Sequence, residues 1–197
     1  MSKQVVVIAG PTGSGESTIT NEIVKRFPNV KRLVTATTRS PRTGEKNGID
    51  YYFFSKDEFE REKREGRILE STYIENRDTY YGTYGPDLGK KIKEGSVIVI
   101  NPDIVGARYY KKNYDATTIF IVPESIDSLE RRIRERSPDL REDEIAHRRE
   151  NAVREMADEQ PFYDHVVTNA DGKLKGSVDE VVEILKKEGY TLDGMTQ

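Results

Sequence analysis

The chain has 197 residues, of which 35% are hydrophobic and 34% charged, and its net charge is −3. This length suits one α/β domain with a substantial core, and the charge argues against a nucleic-acid binder that relies on overall basicity. Cysteine is absent, which excludes disulfides and cysteine-based chemistry. We recognise neither a signal peptide nor a membrane-length apolar run in the sequence. We therefore expect a cytoplasmic protein without nucleic-acid or membrane partners.

The first predicted element is a strand that leads through a glycine-rich turn into a helix. Val5–Ala9 is a continuous apolar run, as expected for a strand buried on both faces of a parallel sheet. A helix is predicted over 17–26. Several free backbone N–H groups converge at such a turn, which makes it an anion site. The predicted phosphate-binding loop, or P-loop, contains Gly10, Pro11, Thr12, Gly13, Ser14, Gly15, Ser17 and Thr18. Its spacing is G-x-x-x-x-G-K-[ST], except that Glu16 stands at the lysine position.

Residues 37–84 differ in character from the rest of the chain. Their apolar runs are short, turn-forming residues are frequent, and six of the eleven tyrosines lie here. Ser55 and Glu58 form a capping box that predicts a short helix to about residue 65, and a strand is predicted over 67–74. We interpret 37–84 as a small, mostly β lobe inserted into a core of residues 1–36 and 85–197.

Strands and helices alternate in the core, which predicts an α/β fold with a doubly wound parallel sheet. The tail after Gly189 is expected to fray. The other predicted core elements are the strands 30–36, 97–100, 117–122 and 165–168 and the helices 85–94, 103–112, 126–136, 142–159 and 177–188.

A second motif spans residues 37–51, Thr-Thr-Arg-Ser-Pro-Arg-Thr-Gly-Glu-Lys-Asn-Gly-Ile-Asp-Tyr. Arg39 and Arg42 flank a Ser-Pro turn, so both guanidinium groups could converge on one phosphate. The run resembles the nucleotide-monophosphate signature of the guanylate kinases, which transfer the γ-phosphoryl group of ATP to GMP. The resemblance covers about 4–188. It implies a P-loop nucleoside-monophosphate-kinase fold, with 37–84 as the GMP-binding lobe and a lid at about 136–148.

The resemblance also implies roles for individual residues. Glu70 would accept from the N1–H and the exocyclic amine of guanine, Thr83 would lie beside O6, and Asp103 would be a second acid at the base. Adenine would leave these acceptors unpaired. The alternatives are packing roles for the tyrosines and, for either acid alone, a solvated surface position. The residues implied to hold the GMP phosphate are Thr35, Arg39, Arg42, Tyr51 and Tyr81.

Eight arginines lie between residues 131 and 154. Most of them fit a solvated helix with i,i+4 pairs such as Glu130–Arg134. The resemblance implies that Arg136 and Arg148 reach over the ATP phosphates and that Asn169 lies near the adenine.

Mg²⁺ would enter with ATP, held by phosphate oxygens, waters and the Ser17 hydroxyl.

Glu16 is the departure from this pattern. The P-loop lysine attracts the β- and γ-phosphates, and one unit charge at about 4 Å is worth about 4 kcal/mol at an effective dielectric of about 20. Reversing its sign predicts slow phosphoryl transfer with GMP binding intact. Three interpretations remain: a guanylate kinase acting on GMP or dGMP with an altered lysine, which we favour, a GMP-binding pseudokinase, and a protein-interaction module. The sequence leaves open whether the protein is a monomer or a homodimer.

Overall fold

The computed structural model describes residues 3–194, without the side chain of Asn76. None of the helices in that part of the chain is both long and apolar enough to cross a membrane. The strands are β1 (Val5–Ala9), β2 (Val30–Arg32), β3 (Ala36–Thr37), β4 (Tyr52–Phe53), β5 (Ile68–Ile74), β6 (Thr79–Tyr84), β7 (Val97–Ile100), β8 (Thr117–Pro123) and β9 (His165–Asn169). The α-helices are α1 (Glu16–Arg26), α2 (Lys56–Arg64), α3 (Gly85–Lys93), α4 (Ile104–Tyr114), α5 (Ile126–Arg136), α6 (Glu142–Asp158) and α7 (Leu174–Lys187).

The main sheet is parallel, in the order β2-β7-β1-β8-β9, so the predicted doubly wound fold is confirmed. All five residues of central β1 are buried. Val6 and Ile8 pack with α1 and α7 on one face, while Val5, Val7 and Ala9 pack with α3 and α4 on the other. Because both faces are covered, the run in β1 is continuously apolar rather than alternating.

A second, mixed sheet lies within residues 36–84, in the order β4-β3-β6-β5. It has its own apolar cluster, in which Phe59 of α2 is fully buried between Ala36 and Ile68. The α2 helix starts at the capping box anticipated from Ser55 and Glu58, whose side chains each bond the other's backbone N–H.

The predicted strand over 30–36 is wrong, because the chain changes sheets within it. β2 ends at Arg32, and Ala36 already belongs to β3 of the second sheet. Between them, the Val34 N–H donates to Oδ2 of Asp87 at 3.0 Å instead of to a strand. An apolar run therefore predicted extended backbone correctly but could not indicate which sheet the backbone joins.

Asp87 lies at the junction of the two sheets and is 8% exposed. Besides the Val34 N–H, it accepts from the Tyr52 hydroxyl at 3.3 Å and pairs with Lys91. A buried carboxylate is tolerated only when it is paired and hydrogen-bonded. The three partners of Asp87 come from the segment between β2 and β3, from the lobe and from the core helix α3. One side chain thus ties the lobe to the core.

The predicted fraying after Gly189 is also wrong for residues 190–194, while residues 195–197 lie outside the described part of the chain. Tyr190 is 4% exposed, and its hydroxyl donates to the Val5 carbonyl at 2.5 Å and accepts from the Thr117 N–H at 3.0 Å. The Asp193 N–H donates to Oδ1 of Asn29 at 3.0 Å. These partners are distant in sequence, which is why composition at the chain end did not indicate them. Helix α7 also begins at Leu174, three residues before its predicted start.

Replacing Tyr190 by phenylalanine should lower the free energy of unfolding by about 2 kcal/mol. The ring would still fill its place, but the buried Val5 carbonyl and Thr117 N–H would lose a partner, which costs about 1–3 kcal/mol. Urea unfolding of both proteins measures the change, with Tyr73→Phe on the exposed surface of the lobe as control. Equal losses in the two variants would contradict the role given to Tyr190.

Candidate functional site

The P-loop is held from outside by β9 and α5. The Asn169 amide donates to the Ser14 carbonyl at 2.8 Å, and Arg132 donates to the carbonyls of Gly13 and Ser14 at 3.4 and 3.3 Å. Within the loop, the Ser14 N–H donates to the Pro11 carbonyl at 2.9 Å. The other N–H groups of the loop lead into the N-terminus of α1, where an anion is expected.

Gly15 allows the loop to pass close to Asn169. Its φ is +97°, and a Cβ there would lie 2.3 Å from Nδ2 of Asn169. A side chain would therefore be strained and would collide with the group that holds the loop. Asn169 also lines a shallow 230 Å³ cavity beside Gly15 and Thr18, where the resemblance implies adenine. Its support of the P-loop was not anticipated from the sequence.

The Glu16 side chain folds back onto the P-loop. Its Oε2 accepts from the Ser14 hydroxyl at 3.0 Å, and its Oε1 accepts from the Ser17 hydroxyl at 3.2 Å. The carboxylate therefore occupies part of the region where phosphates are expected. It also engages the Ser17 hydroxyl, which is expected to face Mg²⁺.

A 470 Å³ cavity, called here the lobe cavity, lies between the second sheet and the start of α4. It is bounded on the core side by Thr12 of the P-loop and Asn101 at the end of β7. Six of the eight residues implied to bind GMP line it, namely Thr35, Tyr51, Glu70, Tyr81, Thr83 and Asp103.

A chain of hydrogen bonds crosses the floor of the lobe cavity. The Thr83 hydroxyl donates to Glu70 at 2.5 Å and is also bonded to the fully buried hydroxyl of Tyr110. Burial raises the pKa of Glu70, and the nearby negative charge of Asp103 adds to the shift. Asp103 itself caps α4, its Oδ1 accepting from the Gly106 N–H at 2.9 Å. The cavity thus offers two carboxylates, and Tyr110 is a support that the sequence did not reveal.

Arg39 and Arg42 have different surroundings in this structure. Arg39 makes two 2.9 Å hydrogen bonds to Glu45, and its guanidinium lies 5.3 Å from the centre of the Tyr51 ring. Arg42 instead lines a larger opening in front of the P-loop. If both guanidinium groups are to bind one phosphate, Arg39 has to bond Glu45 and the ligand at the same time.

That opening, called here the arginine cleft, has a volume of about 1,040 Å³ and adjoins the lobe cavity. Four arginines line it, Arg42 and Arg77 from the lobe and Arg136 and Arg148 from the predicted lid. Arg77, at the tip of the β5–β6 hairpin, was missed because an arginine in a turn has no distinctive spacing. By contrast, Arg134 pairs with Glu130, as expected for a solvated helix, and also with Glu142 of the next helix, α6.

Ser17 and Asn101 are the neutral side chains best suited to a metal near the P-loop. The Asn101 amide donates to the Ile8 carbonyl at 2.7 Å and to Thr20 at 3.0 Å, which leaves its buried Oδ1 without a partner. Over residues 3–194, no three acidic or imidazole side chains form a ready-made metal cluster. A cation here would need further oxygen ligands from outside the protein.

Glu155 on α6 lines both the lobe cavity and the arginine cleft. Burial raises its pKa to about 7, and the negative charges of Glu159 and Glu16 contribute. The wall facing the P-loop is therefore acidic, and the carboxyl of Glu155 changes charge near neutral pH.

Replacing Glu155 by glutamine should stabilise the protein at pH 8 but not at pH 4.5. A carboxyl whose pKa is raised from 4.5 to about 7 on folding stabilises the fold fully below pH 4.5 and loses that contribution as the pH rises through 7. We expect a gain of about 1–2 kcal/mol at pH 8, reduced from the full shift because the side chain is partly solvated. Urea unfolding at both pH values measures it, with exposed Glu150→Gln on the same helix as control. A gain that did not vary with pH would contradict the assignment.

Comparison with known proteins relates the whole chain to one family. The family model for guanylate kinase matches residues 2–188. A guanylate kinase from Carboxydothermus hydrogenoformans is 36% identical over 185 residues, covering 93% of this chain and 88% of the relative, and one from Trichormus variabilis is 38% identical over 169 residues, covering 85% and 83%. The crystal structure of guanylate kinase from Anaplasma phagocytophilum superposes with a TM-score of 0.73 at 25% identity, covering 99% of this chain and 90% of that one.

Proposed function

Since the chain belongs to the guanylate kinase family, we propose that it transfers the γ-phosphoryl group of ATP to GMP or dGMP and that Glu16 slows the transfer. The observation that carries this proposal is the position of Thr12. This P-loop residue lines both the lobe cavity and the arginine cleft. A monophosphate in the cavity and a triphosphate on the P-loop would therefore bring their phosphates together at one place, as phosphoryl transfer requires.

In this proposal the lobe cavity takes the guanine base. Guanine has two adjacent donors, N1–H and the exocyclic amine, and Glu70 would accept from them in its ionised form. Thr83 would keep Glu70 in place, because its hydroxyl proton already points at that carboxylate, and Tyr110 would in turn hold Thr83. The O6 contact expected of Thr83 would require its hydroxyl to rotate away from Glu70.

The transferred phosphate would lie in the arginine cleft, and the GMP phosphate where this cleft adjoins the lobe cavity. Tyr51, Tyr81 and Arg42 would hold the GMP phosphate, joined by Arg39 if it leaves part of its pairing with Glu45. Arg136 and Arg148 would neutralise the charge that spreads over the transferred group, which is the main contribution a protein makes to this reaction.

Mg²⁺ bound with ATP neutralises the phosphate oxygens during transfer. The Ser17 hydroxyl and the unpartnered Asn101 Oδ1 fit this ion, since both are hard oxygen donors near the phosphate loop. Ser17 would give up its hydrogen bond to Glu16 when it binds the ion.

A pseudokinase or a protein-interaction module is less well supported. Both interpretations expect a nucleotide site with several altered parts. Here six of the eight residues implied to bind GMP line one cavity, and both lid arginines face the phosphate region. Glu16 is the single residue of the predicted site with the wrong charge. The cytoplasmic location and the monomeric or homodimeric state stay predictions.

Calorimetric titration with nucleoside monophosphates tests the proposed acceptor. We expect GMP to bind at least about tenfold more tightly than AMP, because AMP leaves Glu70 and Asp103 without donors. IMP, which keeps N1–H but lacks the exocyclic amine, should bind with intermediate affinity. AMP binding as tightly as GMP would remove the guanine assignment.

A further inference from the structure

The Glu16 carboxylate is held inside the P-loop rather than turned out to solvent. Its two oxygens accept from Ser14 on one side and Ser17 on the other. A lysine at this position would bring a positive charge to the phosphates. The Glu16 carboxylate instead fixes a negative charge there, which can attract a cation.

The position of the carboxylate relative to Ser17 suits a divalent cation. Two neighbouring ligands of an octahedral Mg²⁺, each about 2.1 Å from the metal and at right angles, lie about 3.0 Å apart. Oε1 of Glu16 and the Ser17 hydroxyl oxygen are 3.2 Å apart. The hydrogen bond from Ser14 to Oε2 fixes the carboxylate in this orientation. Both groups are hard oxygen donors, the type that Mg²⁺ prefers.

The surroundings also favour a cation at this point. Glu155 faces the P-loop closely enough for the Glu16 charge to affect it. Asn101, which lines the lobe cavity together with Glu155, has a buried oxygen without a hydrogen-bond partner. The phosphates of a nucleotide would add further negative charge. A cation between these groups would turn repulsion into attraction.

We propose that Glu16 and Ser17 together form a divalent-cation site on the P-loop and that the bound cation supplies the positive charge that a lysine would bring. This inference rests on the proposed function, since it concerns the ATP side of the same site. One carboxylate and one hydroxyl make an incomplete shell, so phosphate oxygens and waters complete it. Cation and nucleotide therefore bind cooperatively.

Manganese, as a paramagnetic substitute for Mg²⁺, provides a test that does not depend on activity. The electron paramagnetic resonance signal of free Mn²⁺ is measured as the full-length chain is added, first with the metal alone and then with a non-hydrolysable ATP analogue. We expect Glu16→Gln to weaken Mn²⁺ binding at least about tenfold in both conditions, because the variant loses a charged carboxylate ligand. Glu22→Gln makes the same chemical change on the exposed face of α1, where Glu22 pairs with Lys25, and should bind Mn²⁺ like the parent protein.

The outcomes separate this inference from the proposed function. Equal Mn²⁺ binding by the parent protein and Glu16→Gln would overturn the cation site, even if GMP still bound selectively over AMP. Loss of GMP selectivity with Mn²⁺ binding still dependent on Glu16 would overturn the acceptor assignment alone. Thermal unfolding of each variant, compared with Glu22→Gln, shows that a loss of Mn²⁺ binding does not come from a loss of folding.

Discussion

Replacing Glu16 by lysine should raise kcat for phosphoryl transfer from ATP to GMP at least about a hundredfold while leaving GMP affinity nearly unchanged. The change removes a negative charge held by Ser14 and Ser17 beside the phosphate loop and puts a positive one in its place. Each unit charge at about 4 Å is worth about 4 kcal/mol at an effective dielectric of about 20, whereas a hundredfold needs only about 2.7 kcal/mol. The lower bound is deliberate, because a cation recruited by Glu16 would already restore part of the missing charge.

The effect should appear in kcat because position 16 lies on the donor side of the site. Glu16 is absent from the lining of the lobe cavity, where the acceptor is proposed to bind. Steady-state kinetics with ATP, Mg²⁺ and GMP, together with GMP titrations, measure both quantities. Glu22→Lys on the same helix controls for added positive charge and should leave turnover unchanged. Equal turnover in the parent protein and Glu16→Lys would show that Glu16 does not limit the reaction.

Replacing Glu70 by glutamine should lower kcat/KM for GMP about a thousandfold. The two side chains have the same shape, but glutamine loses the negative charge and can turn a donor toward the donors of guanine. Two charge-assisted hydrogen bonds, each worth about 1.5–3 kcal/mol, account for a loss of this size. The measurement is best made in the Glu16→Lys background, where turnover is easier to follow.

The pH dependence distinguishes recognition by Glu70 from a structural role. Because burial raises the pKa of Glu70, a proton competes with guanine at a higher pH than for an ordinary carboxyl. GMP affinity of the parent protein should therefore fall as the pH is lowered toward that pKa, and Glu70→Gln should not show this dependence. Glu65→Gln, at the exposed end of α2, should resemble the parent protein in both measurements. A parallel loss of ATP-analogue binding in Glu70→Gln would indicate damage beyond the guanine site.

Local signals in the sequence were enough for much of the fold. The buried run of β1, the glycines of the P-loop and the Ser55–Glu58 capping box each act within a few residues, and the structure has all three elements. The predicted bounds of α5 were also correct. Two of the failures, the strand over 30–36 and the tail over 190–194, depend on hydrogen bonds to Asp87 and to Val5, which are remote in sequence.

The candidate site divides in the same way. The resemblance implied eight residues for GMP, and six of them line one cavity in the structure. It did not indicate residues that act on other residues, such as Arg132 behind the P-loop and Tyr110 behind Thr83. Arg132 is one of eight arginines between residues 131 and 154, and Tyr110 lies on an ordinary helix, so neither stands out until the side chains are placed.

The attachment of the lobe at Asp87 has a mechanical consequence. Its contacts with Val34 and Tyr52 lie at the first turn of α3, and Leu69 packs beside Gly85 in the same turn. The apolar cluster inside the lobe is separate from the two clusters of the main sheet. A rotation of the lobe about this turn, as a lever, would leave its own core intact and shift Leu69 of β5 along the main-sheet cluster that it packs against. Its far tip, which carries Arg77, travels furthest, so a small rotation at the pivot produces a large change in the width of the arginine cleft.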